Sequence, residues 1–375
     1  MEQIPVFKPT VGKEELNACK EVLDIGWLGM GKNVGEFENK IKQYLHANDR
    51  HVAAVSTGHA ALHLGLLIAG VKKGDEVITP AFNNIADFQA ILAIGAKPVF
   101  CDIDNETLCI DFDKAEKMIS KKTKACIVMD YDCCLCDHDR AAEFAEKFNI
   151  RIIHDAAHSF GSKYKGKMIG SFSDICMFSF DPVKTLTCLD GGALIVKTEE
   201  ELRDIQEMRL VGMTQPTNIM YNNERAWTYD VKQLGFRYHM GNLHAAIGLA
   251  QLKKIDRISE TRQAACKYYN KMLRGIPEVR IPETNFKDIT PFLYYIRVPC
   301  ERRDALREYL FKNGVDNGIH WQPGHWFTLL KKCKKDDLAI TDKVGKEILS
   351  LPLHSFMTTK TIDHISRMVQ NFFRK

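Results

Sequence analysis

Short apolar runs alternate with longer amphipathic stretches from residue 51 onward, and this alternation limits the possible folds more than any other feature of the chain. Short β-branched runs are typical of buried strands, and amphipathic stretches between them are typical of helices. The sequence therefore predicts strands joined by helical crossovers in a mostly parallel sheet. The predicted strands are 51–55, 76–79, 98–101, 125–129, 151–154, 175–180 and 193–196.

The last two predicted strands form an exception to the parallel pattern. Residues 174–196 leave no room for a full crossover helix, because parallel partners need a dozen or more residues between them. We therefore expect this pair to be antiparallel, within a mixed sheet.

The pattern changes near residue 250. Helices predicted at 249–273, 303–312 and 361–373 surround one short strand at 294–298. At roughly 100 to 200 residues per domain, the chain is long enough for two domains. We predict a large α/β domain over residues 1–250, including an N-terminal arm, and a small α+β domain over residues 251–375.

Charge and hydropathy argue against several classes of function. Lys and Arg number 52 and Asp and Glu 48, and they are interspersed, so no basic face favours nucleic acid. The longest apolar run, 60–71, is shorter than the roughly 18 residues of a membrane span. Residues 1–5 show neither the basic nor the apolar part of a signal peptide. We expect a cytoplasmic protein that binds neither nucleic acid nor membrane.

Twelve cysteines are scattered through the predicted strands and helices, which favours reduced thiols over a disulfide framework. Cys133, Cys134 and Cys136, with His138, offer the ligands that zinc prefers. The group lacks a second cysteine pair at zinc-finger spacing. Small buried thiols at a strand end are the favoured interpretation, and the sequence predicts no metal site.

Polar residues follow several predicted strands, at the sheet edge where open α/β sheets bind ligands. Residues 56–59 form a turn before a helix, and the N-terminus of a helix suits a phosphate. Asp155 ends another strand, and Lys184 follows a third. Taken singly, these features have ordinary structural explanations, such as a helix cap or a surface lysine. Together they match pyridoxal phosphate, which needs an anion site, a carboxylate for its ring nitrogen and an amine for its aldehyde.

The sequence also resembles a known family, the sugar aminotransferases of the DegT/DnrJ/EryC1/StrS group within the fold-type I pyridoxal-phosphate enzymes. The matching segments extend over nearly the whole chain: 26–27, 74–80, 95–100, 155–158, 166–174, 179–184, 191–192, 237–243 and 245–248. The resemblance implies an aspartate-aminotransferase-like fold, a three-layer α/β sandwich with a mostly parallel mixed sheet and a smaller C-terminal α+β domain.

The resemblance also implies roles for individual residues. Lys184 is expected to bind the cofactor as a Schiff base and to move the proton in catalysis, and Asp155 to keep the pyridine nitrogen protonated. His158 is expected near the ring. The residues expected to bind the cofactor phosphate are Gly58, His59 and Ser179, with Asn242 reaching it from the second subunit of a homodimer.

Further residues are expected at the substrate pocket and at positions that depart from the family. Trp27 and Gly29, in an early loop, and His320 and Trp321, in a late loop, are expected to border the substrate. Asn84 stands where many relatives have an aromatic residue on the cofactor ring. His59 replaces a usual threonine, and residues 130–134 replace the usual Tyr-Gly-Gln segment.

The function expected from this resemblance is amino transfer, with glutamate as the expected donor, to a keto-sugar nucleotide for surface polysaccharides. An alternative acceptor is a small phosphorylated ketone such as dihydroxyacetone phosphate. A dehydratase on the same fold is a second alternative, but its relatives have a histidine in place of the lysine. A sensor without catalytic activity is a third.

Overall fold

A mixed eight-stranded sheet forms the centre of the molecule. The computed structural model describes residues 3–214, 217–225 and 227–374. In chain order the strands are β1 (His51–Val55), β2 (Glu76–Pro80), β3 (Lys97–Cys101), β4 (Thr123–Met129), β5 (Arg151–Asp155), β6 (Lys163–Tyr164), β7 (Lys167–Met168), β8 (Ile175–Ser179), β9 (Gly192–Val196), β10 (Tyr294–Arg297), β11 (Lys334–Lys335) and β12 (Ile348–Leu351).

The helices include the crossovers predicted from the sequence. In chain order they are α1 (Lys13–Ile25), α2 (Lys32–Tyr44), α3 (Gly58–Ile68), α4 (Ile85–Ala93), α5 (Phe112–Met118), α6 (His138–Phe148), α7 (Glu199–Met208), α8 (Thr217–Tyr221), α9 (Asn242–Leu252), α10 (Ile255–Leu273), α11 (Cys300–Lys312), α12 (Ala339–Glu347) and α13 (Thr359–Phe373), with a 3-10 turn at Gly324–Trp326.

The order of strands in the large sheet is β1, β9, β8, β5, β4, β2, β3, β11. Strands β8, β5, β4, β2, β3 and β11 are parallel to their neighbours in that series. Strand β9 runs antiparallel to both β8 and β1. The prediction of an antiparallel pair at 175–180 and 193–196 is confirmed, with Cys176 opposite Ile195.

The two faces of this sheet bury alternate residues of the same strands, as the period of two in a strand requires. On β5, Ile153 packs in one apolar cluster with α3, α4 and α7, whereas Ile152 faces the cluster that contains α5 and α6. Helices α2 and α9 cover the same face as Ile152, further along the sheet. Helix layers on both faces make the three-layer sandwich expected from the sequence.

The C-terminal region builds a small antiparallel sheet from β10 and β12, flanked by helices. It also returns to the large sheet, because β11 pairs with β3 at the edge. One apolar cluster contains Ile78 and Val128 of the large sheet together with Ile296 and Leu349 of the small one. The division at residue 250 stays a prediction.

One predicted helix was wrong. The sequence pattern indicates a single helix over 249–273, but the structure has α9 and α10, with a break at Lys253 and Lys254. The change of direction lets α9 pack against α1 and α2 while α10 packs against α13. Lys254 Nζ also lies 2.7 Å from Oε1 of Glu15 in α1. Neither Gly nor Pro occurs at the break, so no residue that usually ends a helix marks it in the sequence.

Among the described residues, no helix combines the length and the apolar character needed to cross a bilayer.

Candidate active site

Three strands of the large sheet end at one cavity of about 590 Å³. Strands β5 and β8 are parallel, and β1 runs in the same direction because β9 is antiparallel to both of its neighbours. Their carboxyl ends therefore meet at one edge of the sheet. The sequence-predicted residues that line the cavity are Gly58, His59, Asn84, Asp155, His158, Ser179, Lys184, His320 and Trp321.

The N-terminus of α3 forms one wall of the cavity. Thr57 caps the helix, and its Oγ1 accepts a hydrogen bond of 2.9 Å from the N–H of Ala60. The first N–H groups of a helix have no acceptor within the helix, so those of Gly58 and His59 are suited to bind an anion. A Cβ atom at Gly58 would lie 2.7 Å from Cβ of Ser179, so only glycine fits beside that strand end.

Asp155 is the last residue of β5 and is 3% exposed. Its Oδ1 accepts a hydrogen bond of 2.9 Å from the N–H of Ala157. Burial raises the pKa of this carboxyl group, while the Ala157 N–H and the positive charge of Lys184 oppose the rise. Asp155 is thus a fixed acceptor whose remaining oxygen can meet a cationic group in the cavity.

A hydrogen-bonded cluster around Asp130 supports the end of β5. Oδ2 of Asp130 lies 2.7 Å from Nε2 of His154 and accepts from Ser159 Oγ at 2.6 Å. Oδ1 lies 3.0 Å from Nε2 of His138 and accepts from the N–H of Cys136 at 2.9 Å. These ligand-type atoms are close enough for a metal ion, but every contact is already explained by hydrogen bonding, so we assign them a structural role.

Lys184 stands in a short turn after β8. Its Nζ atom lies 4.1 Å from the centroid of the Phe292 ring. Burial lowers the pKa of Lys184, and the carboxyl groups of Asp155 and Asp181 oppose this shift. A lysine with a lowered pKa has more of its amine in the neutral form, which is the nucleophilic form.

His158 is enclosed by aromatic side chains. Its ring centroid lies 4.5 Å from that of Phe292 and 5.7 Å from that of Trp321, with the Trp321 ring stacked at 28°. Burial, then the charge of Lys184, lowers the pKa of His158 well below its usual value. The imidazole is therefore neutral at pH 7.

The late loop also reaches the cavity, as expected. Nδ1 of His320 lies 3.0 Å from Oγ of Ser350, and Tyr131 donates a hydrogen bond from its hydroxyl to the backbone carbonyl of His320. Burial lowers the pKa of His320 to about 4. The indole N–H of Trp321 is buried and has no protein partner among the described residues, which leaves a donor for a ligand.

Asn84 also caps a helix, a role that was not predicted from the sequence. It is the N-cap of α4, and its Oδ1 accepts a hydrogen bond of 2.8 Å from the N–H of Ala86. Asn84 lines the cavity, but its oxygen is committed to the helix. The amide nitrogen is the part of the side chain that remains for a ligand.

Three predicted residues lie away from this cavity within the chain. Trp27 and Gly29 line a separate cavity of about 460 Å³, together with Arg237 and His239. Asn242 is 2% exposed, and its Oδ1 accepts from the N–H of Asn33 while its Nδ2 donates to Trp27 O. Their roles at the active site stay predictions that require a second subunit.

Sequence reasoning missed Asp87 and Phe292, which also line the cavity. Asp87 lies in the first turn of α4, a helix otherwise rich in apolar residues. A charged residue in such a helix was the available signal, because a buried carboxyl group needs a special environment. Phe292 precedes β10 in the C-terminal region, and no local pattern connects it with Lys184.

Comparison with known proteins agrees with this geometry. Residues 9–370 match the model of the DegT/DnrJ/EryC1/StrS aminotransferase family. The chain belongs to this aminotransferase family. A curated relative, the uncharacterised protein MJ1066 of Methanocaldococcus jannaschii, is 30% identical, and the match covers 98% of this chain and 97% of the relative.

Solved structures of aminotransferases share the fold over almost the full length. The aminotransferase TlmJ from Streptoalloteichus hindustanus is 28% identical, with a TM-score of 0.91 and 99% of both chains covered. The PLP form of Spr1654 from Streptococcus pneumoniae, provisionally named a sugar aminotransferase, is 26% identical, with a TM-score of 0.89 and 99% of both chains covered. The predicted family and fold are confirmed.

The enzyme is a pyridoxal-phosphate-dependent aminotransferase, and the cavity fits its cofactor. The α3 N-terminus offers an anion site beside Ser179, where a side chain at residue 58 would collide with Ser179. Asp155 offers a buried carboxylate for a pyridinium nitrogen, and Lys184 offers an amine with a lowered pKa. These are the three groups that the cofactor requires.

Proposed function

We propose that this aminotransferase moves an amino group from glutamate to a keto-sugar nucleotide, in the biosynthesis of surface polysaccharides. The observation that carries the chemistry is the meeting of Lys184, Asp155 and the α3 N-terminus in one cavity. The provisional name of Spr1654 as a sugar aminotransferase supports a sugar acceptor. A cytoplasmic location stays a prediction.

The cofactor is held by groups at its two ends. The N–H groups of Gly58 and His59, with the Ser179 hydroxyl, bind the phosphate, where the positive end of the α3 dipole adds to the attraction. Asp155 would accept a hydrogen bond from the ring nitrogen and would keep that nitrogen protonated. When bound, the cofactor supplies an aldehyde and an electron-withdrawing ring that stabilises negative charge on the substrate carbon.

Lys184 performs the proton transfer. Burial lowers the pKa of its amine, which favours the neutral form that can accept a proton. The Nζ atom can therefore remove a proton from the substrate carbon that carries nitrogen, and can return one in the reverse direction. The Phe292 ring, 4.1 Å from Nζ, limits the directions in which the amine can point.

His158 and Trp321 close the side of the cavity. His158 stays neutral because burial and Lys184 lower its pKa. Because it lines the cavity, its uncharged imidazole can contact the cofactor ring. The free indole N–H of Trp321 and the imidazole of His320 are the polar groups that we assign to the substrate.

We further propose that the active site is completed in a homodimer. Trp27 and Gly29 line a cavity apart from Lys184, so they reach a substrate at Lys184 only if a second subunit brings them there. Nearby exposed apolar side chains support such an interface: Trp227 is 86% exposed and Leu234 is 79% exposed.

The test is a set of acceptors incubated with the purified enzyme, cofactor and glutamate, with 2-oxoglutarate measured. Turnover with a keto-sugar nucleotide and none with dihydroxyacetone phosphate is expected. The reverse result assigns the smaller acceptor, and turnover with neither rejects amino transfer to both. Lys184→Ala is the control and should lose turnover. If this variant still supports the biological function, a sensor without catalytic activity is the correct interpretation.

A further inference from the structure

A buried carboxyl group that the proposed chemistry does not use lies beside Asp155. Asp87 stands in the first turn of α4, and its side chain is fully buried. It lines the same cavity as Asp155 and Lys184. An ionised carboxylate is unstable in such a place unless hydrogen-bond donors or positive charges meet both of its oxygens.

Only one oxygen of Asp87 meets a donor among the described residues. Oδ2 accepts a hydrogen bond from Nδ2 of Asn83, whereas Oδ1 is buried and accepts none. After burial, the charge of the Asp155 carboxyl group is the largest cause that raises the pKa of Asp87. Two adjacent carboxylates do not both ionise readily in a buried site, and a proton between them removes the conflict.

The hydrogen-bond partners of the two carboxyl groups, together with the electrostatics, indicate which residue holds this proton. Burial, followed by the charge of Asp155, raises the pKa of Asp87 well above its usual value, while Asn83 and Lys184 oppose the rise. Burial and the charge of Asp130 also raise the pKa of Asp155, while the N–H of Ala157 and Lys184 oppose the rise. The geometry separates the two residues: Oδ1 of Asp155 accepts a hydrogen bond of 2.9 Å from the N–H of Ala157, whereas Oδ1 of Asp87 is buried and has no donor among the described residues. Asp87 is therefore the acid of the pair, and Asp155 is the anion.

We propose that Asp87 is a positioning residue that carries one proton, donates it in a hydrogen bond to Asp155, and so directs a single negative charge at the cofactor's ring nitrogen. The inference rests on the proposed role of Asp155. In this role Asp87 acts through Asp155 and not by direct contact with the substrate or the cofactor. One negative charge in this pair matches the one positive charge of a pyridinium ring.

Two variants separate the proton from the shape of the side chain. Asp87→Asn has an amide that can donate to Asp155 and accept from Asn83, so it resembles Asp87 with its proton fixed in place. Asp87→Ala removes both hydrogen bonds. Asp190→Asn is the matched control, because Asp190 also lines the cavity and its Oδ1 accepts from the N–H of Gly191, which an amide oxygen can replace.

Binding is measured with two probes on cofactor-free protein. Pyridoxine 5′-phosphate has the ring nitrogen and the phosphate but no aldehyde, so it does not react with Lys184. Inorganic phosphate tests the α3 N-terminus alone. For Asp87→Ala we expect about tenfold weaker binding of pyridoxine 5′-phosphate, typical of a lost hydrogen bond to a charged group. Asp87→Asn and Asp190→Asn should stay within about threefold of the natural protein, and phosphate binding should be unchanged in all three.

Infrared spectroscopy tests the proton itself. The difference spectrum between the natural protein and Asp87→Asn at pH 8 should contain the C=O stretch of a protonated carboxyl group, and the Asp190→Asn difference spectrum should not. Absence of that band overturns the proposal. So does natural affinity for pyridoxine 5′-phosphate in Asp87→Ala, or a loss in Asp87→Asn as large as that in Asp87→Ala.

Failure of the proposed function gives a different result. The natural protein could bind inorganic phosphate and pyridoxine 5′-phosphate with equal affinity, which would mean that the pyridine ring contributes nothing to binding. In that case the role assigned to Asp155 is wrong, whatever the Asp87 variants show. If the ring contributes to binding in the natural protein and Asp87→Ala does not change it, only the role of Asp87 is wrong.

Discussion

The Nδ1 atom of His158 lies 3.0 Å from Oδ1 of Asp132, yet neither atom has a hydrogen bond of good geometry within the described part of the chain. His158 lines the cavity and Asp132 does not. Burial raises the pKa of Asp132 to about 8, with Lys184 and Tyr131 opposing the rise. At pH 7 the pair therefore consists of a protonated carboxyl group and a neutral imidazole.

This relationship predicts a loss of stability as the pH rises from about 4 to about 8. The pKa of Asp132 is higher in the folded protein than in the unfolded chain, so folding is not penalised below about pH 4 and becomes less favourable as the pH rises towards about 8. Asp132→Asn should remove this dependence and raise the free energy of unfolding at pH 9 by on the order of 1 kcal/mol or more. Denaturant unfolding at pH 5 and pH 9 measures the effect.

The control for that experiment is Asp24→Asn, which changes an exposed carboxyl group paired with Lys20 on α1. It should change the stability at both pH values by less than about 0.5 kcal/mol. Equal pH dependence in Asp132→Asn and the natural protein would show that Asp132 is ionised in the fold.

Replacement of Lys184 should separate cofactor binding from catalysis. Lys184→Ala and Lys184→Arg both lack the amine that reacts with the aldehyde, so borohydride reduction should fix no cofactor to residue 184. The rate of transamination should fall at least about 100-fold, the usual minimum for a lost proton-transfer group. The phosphate site should still bind pyridoxine 5′-phosphate, and failure to do so would mean that the substitution disturbs the whole cavity.

Gly58→Ala should destabilise the wall of the phosphate site. The new Cβ would lie 2.7 Å from Cβ of Ser179, and overpacking of this kind costs about 1–3 kcal/mol. Denaturant unfolding measures the loss. In a Ser179→Gly background the obstacle is absent, so Gly58→Ala should cost clearly less there. Additive effects of the two substitutions would contradict the predicted contact.

Asn84 allows the cap of α4 to be tested apart from the cofactor. Asn84→Ala should lower the free energy of unfolding by about 1 kcal/mol, because the hydrogen bond to Ala86 is lost. Asn84→Ser should retain most of that stability, since serine also caps helices well. If both variants are equally unstable, contacts other than the cap explain the role of Asn84.

The sequence was sufficient to predict that several of these residues lie at one cavity, and the reason is geometric. Asp155, Ser179 and Gly58 each stand next to a strand end, and the strand pattern alone predicts that such ends meet at one edge of the sheet. Phe292 and Asp87 could not be placed in the same way. Phe292 arrives from the C-terminal region, and Asp87 is buried by tertiary packing that no local period shows.

The break between α9 and α10 shows that the same limit applies to the prediction of helices: a local pattern does not show tertiary contacts. Residues 249–273 keep a helical pattern throughout, and at the turn Lys254 pairs with Glu15, a residue distant in the sequence that no local pattern could indicate. Likewise, Trp27 lies in another cavity of the chain. A pattern along one chain carries no information about how a second copy would be placed.

The apolar cluster that joins Ile78 and Val128 to Ile296 and Leu349 has a consequence for motion. A hinge motion between the large sheet and the small sheet would have to separate side chains that are packed together. Wide opening between the two sheets is therefore energetically unfavourable. Amide hydrogen exchange should accordingly be slow in β4 and β12 alike, and both should open in one cooperative event.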